Sequence, residues 1–292
     1  MTRSIRSIRL LQANPRSRCQ SCRTRARQHL PITMMQFISR SLLPILAVTA
    51  LACAPSAGTV ATTTSPSPAP AMGVAASADT IPASVRWYRA SAERRAIYLQ
   101  TYRLAAAALE RRAAGLAAGS WGVILDADET VLDNSPYQQD LARRRATFDS
   151  ATWNAWVTRG AAAALPGAPE FTRRAHELGG RVVIVTNREQ PQCDATRANL
   201  QRVAIAADAV LCRTDPSNSF KDVRFEAVAA GTPPSPLPPL RVVMWVGDNI
   251  QDFPRLRQDI RSASDSAFAE FGDRFIVLPN PMYGSWERNA LP

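Results

Sequence analysis

Three polar clusters in this 292-residue chain carry residue types from which chemistry is built. They are Asp126-Ala127-Asp128-Glu129-Thr130, then Thr186-Asn187-Arg188, then Gly247-Asp248-Asn249 with Asp252 close behind. Carboxylates so spaced can attack an electrophile, exchange protons or bind a hard cation. Taken alone each cluster is weak evidence, because roughly one Asp-x-Asp triplet arises by chance in a chain of this composition. Asp248 and Asp252 would also suit simple capping of a helix that follows a strand. Lys221 adds weight. Of the 35 basic residues it is the only lysine, so a compact ammonium has been kept where a planar guanidinium would not serve. The competing reading is a lysine on a solvated helix face.

Each cluster follows a short apolar run, and those runs have to position it. Runs occur at Gly122–Leu125, Val182–Val185, Ala209–Leu211, Val242–Val246 and Phe275–Leu278, with stretches of helical composition between most of them. That alternation predicts an α/β fold with a parallel sheet and helices on its faces. In such a sheet the carboxyl ends of the strands form the binding crevice, so the clusters converge on one place. Upstream, Trp87, Ser91, Arg94, Tyr98, Tyr102, Ala105 and Leu109 step by three or four and predict one helix over 84–116, ended by Gly115 and Gly119. Residues 81–292 read as one domain.

These motifs together resemble the haloacid dehalogenase (HAD) superfamily of phosphatases and, within it, the bacterial class C acid phosphatases. Val131-Leu132-Asp133-Asn134-Ser135-Pro136-Tyr137, Thr186-Asn187-Arg188 and the tail Leu278–Trp286 carry the resemblance to that branch, which spans 81–292. It implies a Rossmann-like sheet with a small helical region from the N-terminal helix and inserts. It also implies a Mg²⁺-dependent phosphate-monoester hydrolase in which Asp126 is the nucleophile, forming a phosphoaspartyl intermediate, and Asp128 the acid and base. By the same resemblance Asp126, the Asp128 carbonyl and Asp248 hold Mg²⁺, Asp252 supports them, and Thr186, Asn187 and Lys221 hold the phosphoryl group. Trp153, Tyr283 and Tyr137 would form an aromatic substrate surface suited to nucleoside monophosphates and aromatic phosphates. The alternatives are a noncatalytic ligand-binding surface lipoprotein, or phosphoryl transfer to an acceptor alcohol.

The formal charge of +11 would suggest a polyanionic partner. Residues 1–52, however, hold nine arginines and no acid, which leaves 26 basic against 24 acidic residues in the remainder. A nearly neutral body lacks the footprint of a nucleic-acid binder, so nucleic acid is excluded as a partner. Residues 1–33 read as upstream sequence preceding the true start. Residues 34–52 read as a signal peptide whose apolar run, Leu42–Ala52, is too short for a bilayer span. Ala50-Leu51-Ala52-Cys53 resembles a lipobox, and residues 53–80, rich in Ala, Ser, Thr and Pro, suit a lipidated Cys53 on a flexible tether. The expectation is export to the outer membrane or periplasm, with membrane contact through the lipid alone. Cys193 and Cys212 then remain as one possible disulfide. The sequence defines no oligomeric state.

Overall fold

The computed structural model describes residues 81–291; the expectations for 1–33, 34–52 and 53–80, Cys53 included, lie outside the described residues. Five strands form a parallel sheet: β1 (Trp121–Leu125), β4 (Arg181–Glu189), β5 (Ala209–Arg213), β6 (Arg241–Gly247) and β7 (Phe275–Val277), in the order β5-β4-β1-β6-β7. All five coincide with the apolar runs of the sequence. They read as continuous runs because both faces of the sheet are covered. Val123 and Leu125 of β1 pack into one apolar cluster with Tyr98, Tyr102 and Leu109, while Ile124 packs into the opposite cluster with Val185, Trp245 and Phe275.

The predicted helix over 84–116 is in fact two, α1 (Ala83–Ala90) and α2 (Ala92–Ala113). Ser91 lies between them in an extended conformation, and its side chain accepts from the Arg94 amide as the cap of α2. A serine satisfies an orphan amide at a helix start better than it serves a helix interior. α2 then lays Tyr98, Tyr102, Ala105 and Leu109 on the sheet, in the expected register.

Between β1 and β4 lies the insert. It comprises a short antiparallel pair, β2 (Leu132–Asp133) with β3 (Ala163–Ala164), and the helices α3 (Ser135–Arg144), α4 (Ser150–Thr158) and α5 (Ala168–Glu177). α6 (Cys193–Arg202) and α7 (Asp222–Ala230) complete the helices. Cys193, at the start of α6, is disulfide-bonded to Cys212 of β5, with 5.9 Å between their Cα atoms. Among the described residues no helix is long and apolar enough to cross a membrane.

Candidate active site

The loop after β1 is folded by its own backbone. The Asp126 amide donates to the Val246 carbonyl at 3.0 Å and continues the β1–β6 pairing, and the Ala127 carbonyl accepts from the amides of Val131 (3.0 Å) and Leu132 (2.8 Å). Glu129 sits in this turn at φ 53°, a region that costs a non-glycine residue energy unless its surroundings fix it. They do: its wholly buried carboxylate accepts from the Asn134 amide at 2.7 Å, from Asn134 Nδ2 at 3.3 Å and from the Tyr283 hydroxyl.

At the end of β6 the chain turns through a short 3₁₀ segment, Ile250–Asp252. Asp252 Oδ2 accepts from the Asn249 amide at 2.9 Å, so Asp252 does act as a turn cap. Its Cβ packs so close to Gly247 that a Cβ there would lie 2.3 Å away, which explains the glycine. Asp248 instead turns its carboxylate to the Thr130 hydroxyl (3.2 Å) and to Asn280 Nδ2 (2.8 Å).

Lys221 directly precedes α7 and is 3% exposed, which removes it from the solvated-face reading. Its Nζ donates to Asp126 Oδ1 and, at 2.6 Å, to Asp252 Oδ1. Carboxylate oxygens of Asp126, Asp248 and Asp252 all lie within 4.8 Å of one another. Burial pushes the Asp126 carboxyl up to about 7; Lys221 pulls against this, while Asp252 and Asp128 push with it. Asp248, half-open to the cleft yet surrounded by protein atoms, is driven well above the carboxylate range by desolvation and then by Asp252 and Asp126. Burial disfavours the Lys221 ammonium, but Asp126 and Asp252 outweigh it and hold its pKa above the ordinary value. Glu129 is pushed up to about 8 by burial and by Asp128. The centre therefore gathers more acidic groups than its one lysine can keep ionised.

These groups open onto a cleft of about 670 Å³. Its polar lining includes Asp126, Asp128, Asn187, Lys221, Asp248 and Asp252, and its apolar lining includes Leu141, Phe148, Trp153, Met282 and Tyr283. Two expected contacts are not at its surface. Thr186 is wholly buried, its hydroxyl accepting from the Arg188 amide at 3.1 Å, so β4 presents Asn187 to the cleft, with Arg188 in its wall as a buried side chain. Asn187 is fixed from both sides, donating to the Ser219 carbonyl at 2.9 Å and accepting from Arg224 at 2.6 Å. Tyr137 is buried on α3 behind the cleft, where its ring meets Trp153 edge-on at 5.2 Å and its hydroxyl bonds Thr152 at 3.0 Å. It supports Trp153 rather than facing a substrate, because its position near the start of α3 turns it into the core.

Sequence reasoning gave no role to Arg188, Asn134 or Phe148. Arg188 and Asn134 stand inside the quoted motifs, which was the available signal. Phe148 is 63% exposed and tilts against Trp153 at 6.4 Å.

A parallel sheet that gathers carboxylates from the ends of two adjacent strands around one buried lysine defines a HAD-type phosphatase. Residues 51–286 match the family model described as HAD superfamily, subfamily IIIB (acid phosphatase), and the chain belongs to that family. The class C acid phosphatase from Bacillus anthracis is similar in structure, with TM-score 0.62 and 33% identity over 70% of this chain and 85% of that one. Among curated proteins, the stem 31 kDa glycoprotein of Glycine max is 28% identical over 55% of this chain and 58% of its own length. Acid phosphatase 1 of Solanum lycopersicum is 34% identical over 26% of this chain and 30% of its own. The chain thus spans less than two thirds of the length of these two relatives.

Proposed function

We propose that this protein is a magnesium-dependent acid phosphatase that hydrolyses phosphate monoesters, nucleoside monophosphates and aromatic phosphates above all, through a phosphoaspartyl intermediate. One observation carries the reading: Asp126 lies at the mouth of β1 in contact with the only lysine of the chain, with Asp128 beside it in the same cleft. The solved relative from Bacillus anthracis is also known with tungstate bound, and tungstate is a tetrahedral oxyanion like phosphate.

The donor set fits a hard divalent cation, since every candidate ligand is an oxygen and the buried acids exceed the cations facing them. Asp126, Asp248 and the Asp128 carbonyl would hold Mg²⁺, with Asp252 behind them bonded to Lys221. Bound there, the ion supplies positive charge that lets a carboxylate approach a phosphate dianion.

Asp126 attacks phosphorus, and the bond from phosphorus to the ester oxygen breaks as the bond to Asp126 forms. The electron pair leaves on the ester oxygen, which takes a proton from Asp128, and the alcohol departs. Water then attacks phosphorus while giving a proton to Asp128, and Asp126 and inorganic phosphate are released. Lys221 and Asn187 line the cleft and would hold the phosphoryl oxygens; the Thr186 hydroxyl accepts from the Arg188 amide and so steadies the end of β4 that carries Asn187. Trp153 and Tyr283 line the cleft and offer a flat apolar surface to an aromatic leaving group.

Export is part of the proposal, with Cys53 acylated and the domain tethered at the outer membrane. The Cys193–Cys212 disulfide supports an oxidising compartment. A panel of phosphate monoesters assayed with the purified protein, with and without EDTA, tests the activity. Hydrolysis that EDTA abolishes and Mg²⁺ restores is the expected result; no hydrolysis of any ester in either condition would sink it.

A further inference from the structure

Asp128 does not lie free in the cleft. Its Oδ1 accepts from Asn134 Nδ2 at 2.8 Å and from Arg188 Nε at 2.9 Å, and Arg188 Nη2 stands 2.8 Å from the same oxygen. The amide of Asn134 and the guanidinium of Arg188 between them occupy both lone pairs that a carboxylate oxygen offers in its plane. Among the described residues Oδ2 has no such partner, and the Asp128 side chain, which lines the cleft, is 18% exposed.

The two donors are themselves held. Asn134 is wholly buried, and its Oδ1 accepts from Trp156 Nε1 at 2.8 Å and from Arg188 Nη2 at 3.2 Å. Arg188 is buried as well, with Nη1 donating to Thr196 Oγ1 at 3.2 Å and the guanidinium 5.6 Å from the centre of the Trp153 ring. A buried guanidinium with a carboxylate on its fork is costly to desolvate and adds little to stability, which leaves its arrangement open to a use other than folding. Its planar fork fixes an oxygen in direction as well as distance, which an ammonium does not.

We infer that Arg188 and Asn134 are positioning residues that lock Oδ1 of Asp128 and so present Oδ2 as the one atom that delivers a proton to the leaving oxygen. The inference rests on the reading of Asp128 as the general acid. In the step concerned, the proton passes from Oδ2 to the ester oxygen as that oxygen takes the electron pair of its bond to phosphorus. Asp128 is left as a carboxylate, and the water of the second half-reaction restores its proton.

A leaving group that is stable as an anion needs this proton little; an alkoxide needs it greatly. The test compares kcat/KM for an alkyl phosphate and for 4-nitrophenyl phosphate in the wild type, Arg188→Ala, Arg188→Lys and Asp128→Asn. Loss of a well-placed acid costs about 100-fold or more on the alkyl ester and less than about 10-fold on the nitrophenyl ester. The ratio of the two constants should therefore move by at least about tenfold in all three variants. Added guanidinium ion should return the ratio of Arg188→Ala toward wild type, and ammonium ion should not. Should Arg188→Ala fail to fold, Arg188→Lys retains a cation in the same place without the fork and gives the same readout. A shifted ratio in Asp128→Asn but unshifted ratios in the Arg188 variants would overturn the inference and leave Asp128 as the acid. An unshifted ratio in Asp128→Asn would overturn the reading of Asp128, and the inference with it.

Discussion

Replacing Lys221 by Met removes one ammonium and keeps the length and most of the volume of the side chain. Lys221 is 3% exposed and its ammonium touches two carboxylates, Asp126 and Asp252, so the variant leaves both buried without their cation. Removing one member of a buried ion pair costs about 3 to 5 kcal/mol. For a domain of this size that lowers the thermal midpoint by about 6 to 20 °C. Activity should fall further than stability. An ammonium aimed at the phosphoryl oxygens acts like an oxyanion donor, whose loss costs about 100- to 1,000-fold in kcat. Lys221→Arg separates the two effects, because it restores charge and so much of the stability while putting a fork where a point charge stood. The assay is steady-state hydrolysis of one phosphate monoester beside thermal unfolding, for both variants. A folded Lys221→Met protein with wild-type kcat/KM would refute the reasoning and leave Lys221 as a structural counter-ion only.

Because the folded pKa of Asp126 is raised to about 7, the metal-free folded state holds a proton there that the unfolded chain has released above pH 4. This stability is complete below the unfolded value and is lost as pH rises through 7. Glu129, raised to about 8, acts in the same direction. Metal-free protein should therefore melt at higher temperature at pH 5 than at pH 8, and Mg²⁺ should narrow the gap; a higher midpoint at pH 8 in EDTA would contradict this. Reduction of the Cys193–Cys212 disulfide, which closes a loop of 19 residues, should cost about 3 kcal/mol in denaturant unfolding, and an unchanged midpoint would deny its contribution. Trp153→Ala should lower kcat/KM about 5- to 150-fold for a nucleoside monophosphate and leave glycerol phosphate nearly unaffected; equal losses on both would return Trp153 to a packing role. Cys53→Ser should move the protein from the membrane to the soluble fraction of a bacterial host, whereas an unchanged membrane fraction would argue against lipidation.

The sheet was legible because a parallel strand covered on both faces must be apolar along its length, and each of the five runs is. The site was legible where its members stand at strand ends, as Asp126, Asn187 and Asp248 do. Ser91 was misread because its spacing fits a helix face, while only the packing of α1 against its neighbours shows that the chain turns there. Thr186 and Tyr137 sit beside residues that face the cleft, and strand alternation and the entry angle of α3 turn them inward. Arg188 shows the limit most clearly. Its partner Asp128 lies 60 residues away, and nothing in either neighbourhood states that one guanidinium takes one oxygen of that carboxylate.

Covalent capture tests the central claim most directly. The protein would be mixed in excess over a phosphate monoester labelled at phosphorus, quenched in acid within the first turnover, digested and mapped. The account predicts that the label rides on the peptide containing Asp126, disappears on longer incubation as phosphate is released, and is absent from Asp126→Asn. Product formed through the first turnover with no label on the protein at any time, or a label on another residue, would contradict it.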